Sequence, residues 1–389
     1  MKALPWQPSL FEDQRLDLEG AITLSLTSLR EYGQRYRHWA AAYSGGKDST
    51  AMVTFTAWAI RQGLVPVPES FTVMYADTRL ELAPLHAGAL ALMDTLGGQG
   101  FGTQVVLPAI DDRFLVYMLG YGVPPASNTF RWCTDKIKIQ PMYAALDTLR
   151  AEAGEKFLML TGVRMGESAV RDQRIAVSCS KDSGECGQGW FQTSTPETVA
   201  DTLAPLLHWR LCHVYNWLYD DGSLGHGYDV RGVAEVYGLE EVRTGCVGCP
   251  LASHDTALER LLHNEEWAHL HPLLELKPLW KELKHARWRK RKARPELRKD
   301  GKYGKNVQRK GPLTMEGRAY GLERVLNIQR QAGINLINAE EESRIREMWA
   351  LDMWPEKWSA DDVNADVMLP ALSLTIDGRV AEQQLLFGN

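Results

Sequence analysis

A short apolar run, His38 to Tyr43, ends in Ser44-Gly45-Gly46-Lys47-Asp48-Ser49-Thr50, and the chain from Lys47 to Ile60 has helical spacing. A glycine pair set between a strand and a helix limits the fold strongly. The glycines let the backbone approach an anion closely, while the helix offers N–H groups without intrahelical partners and the positive end of its dipole. Lys47 adds a point charge, and Ser44 and Ser49 add hydroxyls. The pattern is not a Walker loop, because no glycine precedes at the required spacing and Asp48 follows Lys47.

The rest of the first half repeats the alternation. Leu18 to Tyr36 has helical spacing, Phe71 to Ala76 reads as a strand and Glu81 to Leu96 as a helix. Val105–Leu107 and Phe157–Leu160 are further strands, the last followed by Thr161-Gly162-Val163-Arg164. Strands separated by such helices predict a doubly wound, mostly parallel α/β sheet, which binds ligands at the carboxyl ends of its strands beside a switch point. Residues 178–202 are rich in Ser, Gly, Thr and Asp and read as a loop. After Thr202 the pattern turns helical and Trp-rich with no convincing strand, so the expected division is a nucleotide domain over 1–202 and a helical region over 203–389.

With 44% hydrophobic and 24% charged residues, the 389-residue chain is not disordered or fibrous. No run approaches the ~18 apolar residues of a membrane span, and Met1 to Trp6 lacks the apolar core of a secretory signal; the expectation is a cytoplasmic protein. The formal net charge of -5 hides an asymmetry, since residues 277–310 hold fifteen Lys or Arg against three acids. A basic segment on an acidic body suggests a local contact with a polyanion. Within it, Trp280 and Trp288 are able to pack on the body or stack on a base.

In a reducing compartment the six cysteines are poor disulfide candidates. Cys246 and Cys249 stand at C-x-x-C spacing in a glycine-relaxed turn, where both sulfurs reach one metal and a helix from about Ser253 favours thiolates. A thiolate-rich set that includes Cys133 points to zinc or an iron–sulfur cluster, with a redox pair as the other reading of Cys246 and Cys249. Cys212, among apolar neighbours on a helix, reads as a buried thiol. His213, His254 and His271 have no metal spacing to one another and read as structural.

The Ser44–Ser49 loop resembles that of the PP-loop ATP pyrophosphatases. Tyr75-Ala76-Asp77-Thr78 stands where that family places residues facing adenosine. Gly162-Val163-Arg164-Met165-Gly166-Glu167-Ser168-Ala169-Val170-Arg171 resembles the G-V-R-x-x-E-S-x-x-R signature of the phosphoadenylyl-sulfate reductase branch. Arg131-Trp132-Cys133-Thr134 and Gly245-Cys246-x-x-Cys249 resemble motifs of DndC-like enzymes of DNA phosphorothioation, and the chain length is closer to the SspD type. The resemblance spans about residues 38 to 252. It departs at Tyr237, nine positions before Cys246, where the longer DndC proteins carry another cysteine.

The resemblance implies ATP with Mg²⁺ on Ser44, Gly45, Gly46, Lys47, Asp48, Ser49, Asp77, Gly162 and Arg164, with Lys47, Asp48, Arg164 and Arg171 acting in catalysis. It implies a 4Fe-4S cluster on Cys133, Cys246 and Cys249. The fourth ligand would be Cys186, with Cys179 or Cys212 as weaker options, or one iron would stay open. The implied activity is sulfur insertion into the DNA backbone, in phage defence. DNA, a cysteine desulfurase and other phosphorothioation-system proteins are the implied partners. Alternatives are tRNA thiolation, sulfonucleotide reduction, sulfate adenylylation and a non-catalytic ATP-gated DNA-binding subunit. Reduction is weakened by the lack of a cysteine after Cys249.

Overall fold

The computed structural model describes residues 16–166, 199–220, 222–238, 245–297, 301–304, 306, 308–370, 372–375 and 379–382. Two compact units share the chain by interleaving. One draws on Met1–Asp77, Leu82–Val106 and Ile139–Thr244, the other on Thr78–Glu81, Leu107–Lys138 and Gly245–Asn389.

The first unit holds a five-stranded sheet of β1 (His38–Tyr43), β2 (Ser70–Ala76), β3 (Gly102–Val106), β4 (Phe157–Leu160) and β5 (Ala200–Leu203). Its order is β3-β2-β1-β4-β5 and every pairing is parallel. The chain steps from β1 through β2 to β3, then returns to build outward from the other side of β1. The winding therefore reverses between β1 and β4, and their carboxyl ends flank a crevice of the kind that binds ligands. Strands β1 and β4 occupy the residues expected of them, and the α/β class holds.

Helices α1 (Leu18–Gly33), α2 (Lys47–Arg61), α3 (Ala83–Gly98), α4 (Gln140–Ala153), α5 (Leu211–Leu218) and α6 (Arg231–Tyr237) belong to the same unit. β1 is central and covered, with Trp39, Ala40 and Ala41 fully buried, which is why it reads as a continuous apolar run rather than an alternating one. Leu146 of α4 joins Ala40, Met74, Val106, Phe157 and Met159 in one apolar cluster. Elsewhere in the unit Phe55 of α2 meets Trp209 and Trp217 edge-on, with ring centroids 5.5 and 5.4 Å apart. Both indoles find hydrogen-bond acceptors, Trp209 on Ser25 Oγ and Trp217 on Thr54 Oγ1, each at 2.9 Å. Each such ring removes ~150–250 Å² from water, a gross gain of about 4–6 kcal/mol before ordering entropy. Trp209 and Trp217 thus belong to the first unit.

The second unit contains helices Phe114–Leu119, Leu276–Glu282, Met315–Ala332 and Ala339–Ala350, together with short strands. Arg289–Arg291 pairs antiparallel with both Lys310–Leu313 and Val363–Asn364, and Leu372–Leu374 pairs with Val380–Glu382. The expectation of no strand beyond Thr202 is therefore corrected. These strands are short and rich in Lys, Arg and Gly, so no apolar alternation marks them. What fixes them is side-chain chemistry: Arg289 is buried and its Nε donates to Gly311 O at 2.6 Å, inside the paired strand. Arg318 is fully buried, donating to Gly120 O (2.7 Å) and Met353 O (2.9 Å) and lying 3.9 Å over the Trp354 ring. Burial without a carboxylate partner in contact pushes its guanidinium down to about 10. Among the described residues no helix is long and apolar enough to cross a membrane.

Candidate functional site

At the switch point of the first unit, β1 runs into Ser44-Gly45-Gly46 and then α2. Gly45 takes φ +72°, and a Cβ there would stand 3.3 Å from Ala89 Cβ, so the turn demands glycine. The hydroxyls lock the turn: Ser44 N donates to Ser49 Oγ (3.2 Å), Ser49 Oγ donates to Gly46 O (3.0 Å), and the two hydroxyls lie 3.0 Å apart. Gly46 caps α2 in extended conformation, with no side chain taking the first N–H groups. Those donors and the helix dipole are left for an anion.

Three charged side chains converge beside this turn. Lys47 is buried, with Nζ 3.2 Å from Asp48 Oδ2 and 4.6 Å from the centre of the Tyr237 ring. Arg164, 6% exposed, donates from Nε to Asp48 Oδ1 at 2.6 Å and from Nη1 to Trp209 O at 3.1 Å. One carboxylate between two buried cations leaves a net positive charge facing the helix N-terminus. Gly162, just past β4, packs so tightly on the first turn of α2 that a Cβ would lie 2.8 Å from both Asp48 O and Ser49 N. Asp77 directly follows β2, is buried, and donates its backbone N–H to Val106 O at 3.1 Å.

The structure therefore brings Ser44, Gly45, Gly46, Lys47, Asp48, Ser49, Gly162 and Arg164 together, with Asp77 directly after the neighbouring strand. Arg171 lies outside the described residues, as do Cys179 and Cys186. Sequence reasoning found no role for Tyr237; its contact with Lys47 spans 190 residues of chain, and no local pattern signals it. His213 serves structure, its Nδ1 accepting from Arg210 N at 3.2 Å as the helix cap of α5. Cys212, on the same helix, is exposed rather than buried: the inward face of α5 is taken by His213, Val214, Tyr215, Trp217 and Leu218.

The second unit gathers cysteines. Cys133 lies on the single turn Trp132–Thr134, anchored by Trp132, which stacks on Phe114 at 5.1 Å and donates to Pro124 O at 3.1 Å. The Cys246–Cys249 turn is closed by Cys249 N on Cys246 O (3.1 Å). It is pinned by Gly248 N on Asp255 Oδ2 and Trp280 Nε1 on Gly248 O, both 2.8 Å, and by Val247 N on Leu80 O at 2.7 Å. Thr78 Oγ1 approaches Cys246 Sγ at 3.9 Å. Burial pushes the Cys246 thiol up, Lys138 opposes this, and Glu81 and Cys249 reinforce it. Cys133 is likewise raised, by burial first and Cys249 second.

Cys133 and the Cys246–Cys249 turn thus fall in the same unit. The expected thiolate-favouring helix starts at Thr256 instead of Ser253 and runs six residues. Among the described residues no group of three or more His, Cys, Asp or Glu is placed to hold a metal ion. A four-iron cluster is wider than one ion and takes its thiolates farther apart, and the three soft donors fit it by chemistry.

Much of the basic segment turns inward. Lys290 Nζ donates to Ala360 O and Asp362 O, and Lys292 Nζ pairs with Asp362 at 2.9 Å and lies 4.4 Å over the Trp358 ring. Trp280 is buried, and Trp288 stacks on Tyr320 at 4.8 Å, so both expected stacking aromatics are engaged within the unit. Lys281, Arg294, Lys302 and Lys310 remain exposed.

With this geometry in view, residues 38–227 match the family model of the phosphoadenosine phosphosulfate reductase domain. The matched stretch holds the whole phosphate loop, Gly162, Arg164 and Cys133, and ends before Tyr237, Cys246 and Cys249. Similar solved structures include the U34-tRNA thiolase NcsA of Methanococcus maripaludis with its 4Fe-4S cluster, at 14% identity over 68% of this chain and 79% of that one, TM-score 0.33. The phosphoadenylyl-sulfate reductase of Candida auris, in its phosphate complex, is 12% identical over 55% and 93%, TM-score 0.33. An FMN adenylyltransferase of Candida glabrata is 14% identical over 56% and 60%, TM-score 0.31. No curated protein matches. At these scores the architecture rests on the sheet order itself.

Proposed function

We propose that this chain is an ATP-dependent sulfurtransferase that inserts sulfur into the DNA backbone, using an iron–sulfur cluster on Cys133, Cys246 and Cys249. The observation that supports the reading is that Cys133 and the Cys246–Cys249 turn, far apart in sequence, belong to the same compact unit. The Ser44–Ser49 turn, α2 N-terminus, Lys47 and Arg164 would bind the triphosphate with its Mg²⁺. A DNA phosphate oxygen attacks the α-phosphorus, pyrophosphate leaves, and the DNA phosphate carries AMP. Lys47 and Arg164 offset the charge that develops in that step. Sulfide-level sulfur then attacks the activated DNA phosphorus, and AMP departs with the original oxygen. When bound, the cluster supplies the carrier for that sulfur, which a cysteine desulfurase and other phosphorothioation-system proteins deliver.

The family match favours a second reading, reduction of a sulfonucleotide. The test follows radioactive sulfur in cells carrying the native chain or Lys47→Ala, separating DNA, tRNA and small molecules. Label lost from DNA alone is the expected result. Label lost from tRNA reassigns the polymer, and a change confined to sulfite and sulfonucleotides returns the second reading. In parallel, anaerobically purified protein is expected to hold iron and acid-labile sulfide, lost in Cys133→Ser and Cys249→Ser and kept in Cys212→Ser.

A further inference from the structure

Tyr237 closes α6. Val233, Ala234 and Val236 bury that helix, and Gly238, at φ +60°, stops it immediately afterwards. The tyrosine is 3% exposed and directed at the phosphate loop from a rigid support. Its ring face carries the Lys47 ammonium at 4.6 Å. Its hydroxyl lies 2.8 Å from the point where a Cβ on Gly46 would stand, so it occupies the side-chain space of the residue that caps α2. Ring and hydroxyl therefore do two separate things at one loop. The ring fixes the direction of a lysine whose ammonium also lies 3.2 Å from Asp48 Oδ2. The hydroxyl stands at the rim that the first N–H groups of α2 form.

We propose that Tyr237 is a phosphate-positioning residue, whose ring orients Lys47 and whose hydroxyl donates to the triphosphate bound at the α2 N-terminus. This rests on the ATP reading of the loop and deepens it. A face-on cation–π contact directs Lys47 while leaving its N–H donors available, which a second carboxylate would not. A tyrosine hydroxyl donating to a phosphate oxygen makes a charge-assisted bond, stronger than a neutral one. The site so formed reads phosphate and is indifferent to the base.

The test is equilibrium titration of the full chain with a non-hydrolysable ATP analogue and, separately, with adenosine, in the native protein and in Tyr237→Phe, Tyr237→Leu and Lys47→Ala. Tyr237→Phe keeps the ring and loses the hydroxyl, so the analogue is expected to bind about tenfold more weakly with adenosine unchanged. Tyr237→Leu also removes the ring, and a further loss of about threefold or more is expected for the analogue alone. Thermal melting of Tyr237→Phe within the native range confirms an intact fold. Analogue affinity unchanged in Tyr237→Phe overturns the hydroxyl role, and a parallel loss for analogue and adenosine overturns a phosphate role altogether. Should Lys47→Ala bind the analogue as tightly as the native chain, the loop reading falls and this inference with it. Loss in Lys47→Ala without loss in either Tyr237 variant sinks the inference alone.

Discussion

Gly162→Ala offers a direct probe of how β4 is seated on the phosphate loop. The added Cβ would stand 2.8 Å from Asp48 O and Ser49 N and 2.9 Å from Asp48 C, all backbone atoms of the first turn of α2. None is the end of a flexible side chain, so the segments must part by roughly half an ångström to reach ordinary contact. Overpacking of this kind costs about 1–3 kcal/mol, and the stiffer unfolded chain returns about 0.4–1 kcal/mol. A net loss of about 1–2 kcal/mol lowers the melting temperature by about 2–8 °C in a unit of this size. The same shift moves the Asp48 and Ser49 N–H groups off an anion, and ATP affinity should fall about tenfold. Gly88→Ala makes the opposite control. Gly88 is an exposed residue inside α3 with nothing within 4 Å of its Cβ position, so alanine should stabilise by about 0.5–1 kcal/mol. Calorimetry and ATP titration of both variants decide the matter: a Gly162→Ala protein as stable as the native one refutes the tight seating.

Burial lowers the pKa of His208, and His213 is lowered too, first by burial and then by Arg210. The unfolded chain takes up these protons near pH 6.5 while the folded chain waits for lower pH, so stability is lost as pH falls below about 6.5. Melting temperatures at pH 7.5 and 5.5 should differ less in His208→Gln than in the native chain, and an unchanged difference would count against the argument. In the basic segment, Lys292→Met should cost about 2–3 kcal/mol by leaving Asp362 without its ammonium, with no effect on nucleic-acid affinity. On the proposed DNA contact, Arg294→Glu should leave melting unchanged and weaken DNA binding, with a shallower salt dependence; equal effects from both variants would erase the distinction between inward and exposed cations.

How much the sequence disclosed depends on how local the determining interaction is. His38–Tyr43, the glycine turn and Lys47 onward were readable because a buried central strand shows as an unbroken apolar run and the turn's chemistry sits in adjacent residues. Asp48 and Arg164 were legible as separate motifs, although their 2.6 Å contact was not. β5, Ala200–Leu203, was missed because an edge strand following a Ser- and Gly-rich stretch has little apolar signal of its own. Arg289–Arg291 escaped because its pairing is supported by guanidinium and ammonium groups reaching carbonyls and indoles, which composition reads as surface charge. Tyr237 was visible only as a position lacking a cysteine, since its meaning comes from a lysine at the other end of the unit.

The interleaving of the two units sets an order on synthesis. As the chain leaves the ribosome, Phe114 and Trp132 emerge long before Trp280, whose ring meets Phe114 at 6.1 Å, and before helix Met315–Ala332, which packs on Phe114–Leu119. The first unit can close only after Tyr237 has appeared, and the Leu107–Lys138 excursion lacks the core of its own unit until Trp280 and Met315–Ala332 follow. A nascent chain stopped near residue 244 would therefore expose aromatic surface that a chaperone recognises. Dividing this protein at one point in the chain does not yield two folding pieces.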